Sequence, residues 1–471
     1  MNTLQHRQKS RMHPYGMREL LDNPFATKRS IPSGCFRYLI FFALFFIITG
    51  DVSASMDRFP RPEFQSGYEI PENNFGTART VFLYYIDVAA LFAALCAAAY
   101  LVLKRRSRKG VLVLMLLSIA YFGFYKHGCV CSLGAIQNIS AGIFSGYAIP
   151  ITVFLIFILP LIFALFFGRV FCSSVCPMGA LQDFVAFRAK RVPPRISAVL
   201  GIIPHVYLGT AVLFAATGAG FPICKLDPFA GIFRLGAPAG MVIWGAAVLI
   251  TGIFVARPYC RFLCPYGVVL GWMSLVSKYR LKISPDSSLD AGCINCRLCE
   301  NACPIDAILP PTTELVKERR GHSVKRLKMY CLLLPLWIAV LSAGGWFLAD
   351  TVSSVHPHVK LLKIIELEQS GAVTTKSLES EALRADAEVI AELRLLAATA
   401  KNSFRWGLML LGAYLGIVIG GYLIRRSTYT KRDCYEADPA ACVSCGRCYR
   451  YCPNHKAERE KPKWARTEGA C

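Results

Sequence analysis

Apolar residues fall in long blocks near 36–50, 80–103, 111–125, 146–167, 196–218, 238–256, 329–349 and 404–424, separated by polar or proline-containing connections. A helix needs roughly 20 apolar residues to cross the hydrocarbon of a bilayer, so the blocks predict about eight spans, the first marginal and the third short and interrupted. One further segment, "SLESEALRADAEVIAELRLLAATAK", sets Leu378, Leu383, Val389, Leu393 and Leu396 among acidic residues with the spacing of an amphipathic helix. Such a helix either covers its own membrane domain or docks a partner.

Composition agrees with the blocks: hydrophobic residues make up 54% of the 471, and the mean hydropathy is +0.43, beyond ordinary soluble proteins. The net charge of +23 would suit nucleic acid, but its distribution excludes that reading. Basic runs sit in alternate connections, at 104–109, 188–195, 317–328 and 425–432. Positive loops stay in the cytoplasm, which orients the chain in a bacterial inner membrane with 51–79 and 351–403 outside. The basic tail 1–35 and the apolar run after it form either a first anchor helix or a long signal peptide cut after Ala54. No series of charges within the spans marks a transported substrate.

The chemistry lies in the 20 cysteines. "CINCRLCENACP" and "CVSCGRCYRYCP" both read C-x-x-C-x-x-C-x-x-x-C-P, the spacing that wraps thiolates around a cubane iron–sulfur cluster. Cys293, Cys296, Cys299 and Cys303, and Cys442, Cys445, Cys448 and Cys452, are therefore predicted ligands of two 4Fe-4S clusters. A structural zinc site would instead use separated C-x-x-C pairs. The fourth cysteine of each run, as in two-cluster ferredoxins, can serve the other cluster, which would join the two runs into one domain.

An internal repeat occupies the membrane core. Residues 129–184 and 224–272 each begin with cysteine at the outer mouth, cross the membrane, and end in C-x-x-x-C-P at the inner face. The inner pairs, Cys172 with Cys176 and Cys260 with Cys264, hold a further cluster, act as redox dithiols, or pack as small apolar residues. Arg169, Arg257 and Arg261 either lower the thiolate pKa values there or serve as positive-inside anchors. The outer Cys129, Cys131 and Cys224, with His127 or Asp227, suit a soft metal; a structural disulfide is the alternative. Gln182 and Asp183 are read as helix caps or as contacts to a quinone head group. His356 and His358 flank a proline and read as solvated or interfacial. Cys35, Cys96, Cys331, Cys434 and Cys471 follow no spacing; Cys434 is a spare candidate ligand near the second run. No C-x-x-C-H haem motif is present.

The order of "GCVCSLGAIQN", "GRVFCSSVCPMGALQD", "FPICKLDPFAGIFR", "RPYCRFLCPYG" and two ferredoxin runs resembles the NosR/NapH-type membrane polyferredoxins over about 120–310 and 430–455. That resemblance implies electron transfer among a quinone pool, a cytoplasmic donor and an outer-face, periplasmic redox partner. The activator branch of the family carries a flavin domain, for which 51–79 is too short. "SGAVTT", with Thr374 and Thr375, only faintly matches a flavin-attachment sequence, so FMN is not expected.

The expected architecture is an all-α polytopic membrane protein with two small cytoplasmic ferredoxin-like modules. Residues 1–35 form the tail, 36–110 two spans and 111–280 the repeat-containing core. The first module is 281–328, the last two spans 329–424, and the second module 425–471. Two functions fit: an electron conduit, or a redox-linked maturation or regulatory factor for a periplasmic metalloenzyme.

Overall fold

The computed structural model describes residues 81–128, 132–146, 148–187, 189–223, 227–234, 239–283, 296–312, 320–370, 387–428, 432 and 434–453. The expectations for 1–79, for Cys129, Cys131, Cys224 and Cys293, and for Thr374 and Thr375 lie outside those residues.

The described chain is mostly helical. α1 (Val81–Ala99) continues into a π turn over Tyr100–Lys104, and α2 (Arg108–Ser118) into a second one over Ile119–Tyr125. α3 (Ser132–Ser145) and α4 (Ile151–Phe167) lead to a third π turn, Phe171–Val175, and then to α5 (Pro177–Val185). α6 (Pro194–Leu200) and α7 (Ile203–Ala216) form one long apolar unit. α8 (Pro228–Arg234), α9 (Ala239–Phe254), α10 (Pro258–Phe262) and α11 (Pro265–Leu275) follow. After α12 (Leu298–Asn301) and β1 (Ile308–Leu309) come α13 (Arg320–Ser353), α14 (Pro357–Gln369) and α15 (Ala387–Ser427). β2 (Glu436–Ala437) and α16 (Arg447–Tyr451) complete the order.

Among the described residues, five helical stretches are long and apolar enough to cross a membrane: Phe82–Lys104, Arg108–Tyr125, Pro194–Ala216, Val324–Ser353 and Glu388–Ser427. Ile151–Phe167 and Ala239–Phe254 are apolar but shorter. These two end early for local reasons. Gly168, at φ 75°, stops α4, and Arg257, at φ 51°, lies just beyond α9; neither conformation continues a right-handed helix. Large apolar side chains such as Phe82, Leu332 and Phe347 are 72%, 78% and 81% exposed, as lipid-facing positions are.

The two repeats interlock. α5, at the inner end of the first, packs on α9 of the second, while α11 of the second packs on α4 of the first. This exchange brings the two C-x-x-x-C-P turns face to face. The expected break between an outer amphipathic helix and a span at 404–424 is absent, because α15 runs unbroken for 41 residues. No proline interrupts it. Its first turns pack Leu393, Ala397 and Ala400 on Val359, Leu362 and Ile365 of α14. Its apolar part pairs with α13 through glycine: a Cβ on Gly412 would strike the Leu341 carbonyl, and one on Gly345 the Leu408 carbonyl. Small residues of this kind let membrane helices approach backbone to backbone.

Candidate metal centres

Both C-x-x-x-C-P turns have one construction. Cys176 N–H donates to Phe171 O (3.0 Å) and Cys264 N–H to Tyr259 O (2.8 Å), five residues back in each case. Each second cysteine then caps the next helix in extended backbone (φ −71°, ψ 115° and φ −67°, ψ 111°), with Pro177 or Pro265 at the first helical position. Proline suits that position because its missing N–H would be unpaired anyway. The first cysteine sits in a π turn for Cys172 and in the short α10 for Cys260, and the second lies beyond that turn in extended backbone in both pairs. π turns concentrate at functional sites.

The interlocked repeats place Cys172, Cys176, Cys260 and Cys264 in one buried group, each within electrostatic reach of others in it. All four are free cysteines. Two donors point at their sulfurs: Gly267 N–H reaches Cys264 Sγ at 3.3 Å, and Gln182 Nε2 reaches Cys260 Sγ at 3.4 Å. Burial is the largest influence on the Cys260 thiol and pushes it up to about 11, although Arg257 and Arg169 pull it down. Cys176 and Cys264 are raised well above the ordinary value by burial and then by neighbouring sulfurs. The arginines therefore do not by themselves produce thiolates here. Arg261 turns to Ser197 Oγ (2.9 Å) and Asp306 (3.8 Å). Four clustered thiols, with N–H donors aimed at Cys260 and Cys264, fit a multiply charged metal core, which deprotonates its thiol ligands outright.

The ferredoxin runs, 139 or more positions apart, are stitched together. β1 pairs antiparallel with β2, Ile308 opposite Ala437 and Leu309 opposite Glu436. Asp438 N–H donates to Ala307 O at 2.7 Å, and Thr312 N–H to Arg432 O at 2.9 Å. In each run the residue after the second cysteine is left-handed, Arg297 at φ 60° and Gly446 at φ 73°. That turn starts a short helix carrying the third cysteine, Cys299 on α12 and Cys448 on α16, both buried. Cys303 stands with Cys442, Cys445 and Cys448: burial followed by the Cys445 charge pushes Cys303 up to about 11, and burial followed by Cys445 and Cys303 takes Cys442 to about 12. Ala307 N–H reaches Cys303 Sγ (3.3 Å) and Ser444 N–H reaches Cys442 Sγ (3.4 Å). Cys296 is exposed, and Cys452 and Cys434 are half-buried. Among the described residues no three His, Cys, Asp or Glu side chains are spaced for a single ion; a cubane core holds its thiolates farther apart than one ion does.

The second run is bound directly to the membrane core. Arg169 Nη1 donates to Ala440 O (2.8 Å), Ser274 Oγ to Pro439 O (2.7 Å), and Arg108 Nη1 to Cys445 O (2.7 Å). Asp183, on α5, is paired with Arg108, with Arg257 (3.4 Å) and with Arg447 (3.2 Å). Burial pushes its carboxyl up, but Arg257, Arg108 and Arg447 together hold it well below the usual carboxylate range. Gln182 accepts from Tyr259 N–H (3.0 Å) as well as facing Cys260. Neither residue caps a helix. Asp183 fastens the module and Gln182 orients the second turn. Arg108 had no signal of its own in the sequence, being one of several cations in the basic run 104–109. The first run is held by Arg191, which contacts Asn301 (2.9 Å), Asp306 (3.4 Å) and Glu300 (3.5 Å).

Two further buried groups lie away from the cysteines, and the first differs from expectation. His356 is buried rather than solvated, caps α14, and places Nε2 3.1 Å from Thr217 O. Within the spans, Asp87 pairs with Lys126 and accepts from Tyr121 Oη at 2.9 Å, both charges buried.

Comparison with known proteins bears on the turns. A family described as "4Fe-4S binding domain" matches residues 149–195 and 237–284, which contain the two C-x-x-x-C-P turns. The chain is 30% identical over 223 residues to Protein NirI of Paracoccus denitrificans (44% of this chain, 32% of that protein). It is 28% identical over 227 residues to the Regulatory protein NosR of Pseudomonas aeruginosa (44% and 30%). To the Ferredoxin-type protein NapH of Haemophilus influenzae it is 27% identical over 160 residues (32% and 53%). The chain thus spans between about a third and a half of the length of these relatives. No solved structure matches. With the repeated turns, apolar helices and ferredoxin runs already described, these matches make the chain similar to the NosR/NapH-type membrane ferredoxins.

Proposed function

We propose that the protein is a membrane electron conduit with three 4Fe-4S centres. Cys442, Cys445, Cys448 and Cys303 would hold one, and Cys293, Cys296, Cys299 and Cys452 another. The third would be shared between the repeats by Cys172, Cys176, Cys260 and Cys264. Each core, when bound, supplies a one-electron couple; the chain supplies thiolates, N–H donors and burial that set its potential. The observation that carries this reading is the continuity of the sulfur groups. Arg257 lies within electrostatic reach of Cys260, Cys445 and Cys172, and Arg169 within reach of both Cys260 and Cys442.

The exposed Cys296 makes the first run the natural entry point for a cytoplasmic donor. About eight spans, with the modules inside, follow from the apolar blocks and basic connections. Electrons would then pass between the modules, the membrane centre and quinone or a periplasmic partner. Cys129, Cys131 and Cys224 would form the outer-face metal centre or disulfide. A second reading, redox-linked maturation or regulation of a metalloenzyme, is favoured by one finding, the relative named Regulatory protein NosR.

Iron and acid-labile sulfide per chain, measured on anaerobically purified protein with EPR during a redox titration, test the proposal. About twelve irons are expected for three cubanes. About eight would leave the four membrane-face cysteines as dithiols and turn the argument toward maturation.

A further inference from the structure

Three arginines from three distant parts of the chain converge on one carboxylate at the seam between the two sulfur groups. Arg108 opens α2, Arg257 lies just beyond α9, and Arg447 opens α16, while Asp183 belongs to α5. The Asp183 and Arg257 side chains are each 2% exposed, and that of Arg108 is 8% exposed. Two of the arginines have a second attachment. Arg257 donates to the carbonyls of Cys172 and Ser173 (3.3 Å for the latter), inside the first turn. Arg108 donates to the carbonyl of Cys445, inside the second ferredoxin run. Arg447 directly precedes Cys448. Asp183 is thus one guanidinium away from the backbone of each sulfur group.

We propose that Asp183 is a positioning residue that ties the potential of the membrane-face centre to that of the second-run centre, so that both move together when its charge is removed. The inference rests on the reading of Cys172, Cys176, Cys260 and Cys264 as cluster ligands. Its physical basis is charge. Three guanidinium groups against one carboxylate leave a buried excess of positive charge beside both centres. Charges in such a low-dielectric seam act strongly on their neighbours. A cluster becomes more negative on reduction, so nearby positive charge favours the reduced form and raises its potential. A carboxylate that served only to fasten the module would affect retention of the run, not both potentials in one direction.

The test is an EPR-monitored redox titration of the full chain, purified anaerobically in detergent, as wild type, Asp183→Asn, Arg447→Gln and Arg447→Lys. Asp183→Asn is expected to raise both potentials by a tenfold change in the reduction equilibrium or more, about 59 mV for one electron. Arg447→Gln is expected to lower both, and Arg447→Lys, which keeps the charge, to restore the wild-type values. If the asparagine variant does not fold, the lowering of both potentials by Arg447→Gln and its absence in Arg447→Lys carry the test. Twelve irons per chain with potentials that stay put, or with only one centre moving, would overturn this inference and leave the proposed function standing. About eight irons in the wild type would overturn both.

Discussion

Cys264 ends one hydrogen-bonded turn, caps the next helix, and presents its sulfur to the Gly267 amide. Cys176 repeats the arrangement in the other half. Glycine three residues on is tightly packed in both. A Cβ on Gly179 would lie 3.3 Å from Cys172 O and 3.7 Å from Cys260 Sγ, and one on Gly267 3.0 Å from an Arg169 nitrogen. Gly267→Val is expected to destabilise the protein by about 1–3 kcal/mol, the usual cost of overpacking. A lowered thermal midpoint in detergent, with Gly240→Ala unchanged as the control in open space, checks it. Cys260→Ser is expected to remove about a third of the iron, one cubane of three, and to spare the ferredoxin signals. Equal loss from every centre would contradict a separate membrane-face site. The cysteine types and spacing were legible without a structure. The roles of Gln182, Asp183 and Arg108 were not, because each depends on a partner at least 74 residues away.

Apolar patterning located the described helices well, since a run of twenty apolar residues has few other ways to satisfy its backbone in lipid. It did less well at their ends. Left-handed residues cut α4 and α9 short, and the pattern of polar residues in α15 suggested a boundary that the backbone does not have. The contact between α13 and α15 had a sign that the apolar blocks alone did not use: Gly412, Gly416 and Gly420 recur every fourth residue, the small-residue spacing at which membrane helices approach closely. Gly412→Leu would drive a side chain into the Leu341 carbonyl, with no flexible atom to give way. The expected result is a pair of helices forced apart and a stability loss of about 1–3 kcal/mol or more. Intact resistance to detergent unfolding would show that the pair is not packed this way.

At the scale of the molecule, two pseudo-symmetric relations meet. The repeats exchange inner helices, and the ferredoxin runs exchange a strand and the neighbourhood of Cys303. Cys303→Ser is accordingly expected to alter the EPR signal of the centre built on Cys442, Cys445 and Cys448, not the one built on its own run. A change confined to the first-run signal would mean that each run closes on itself. The sequence by itself determined that the chain is apolar, helical and rich in paired cysteine motifs, because hydropathy and ligand spacing are local properties. Tertiary structure decided which motifs become neighbours. Four thiols from two repeats form one group only because α5 crosses to α9 and α11 to α4. The ferredoxin module rests on that group only because Arg108, Arg257 and Arg447 find one buried carboxylate. Such long-range pairings depend on shape and charge summed over the whole fold, and local spacing carries no record of them.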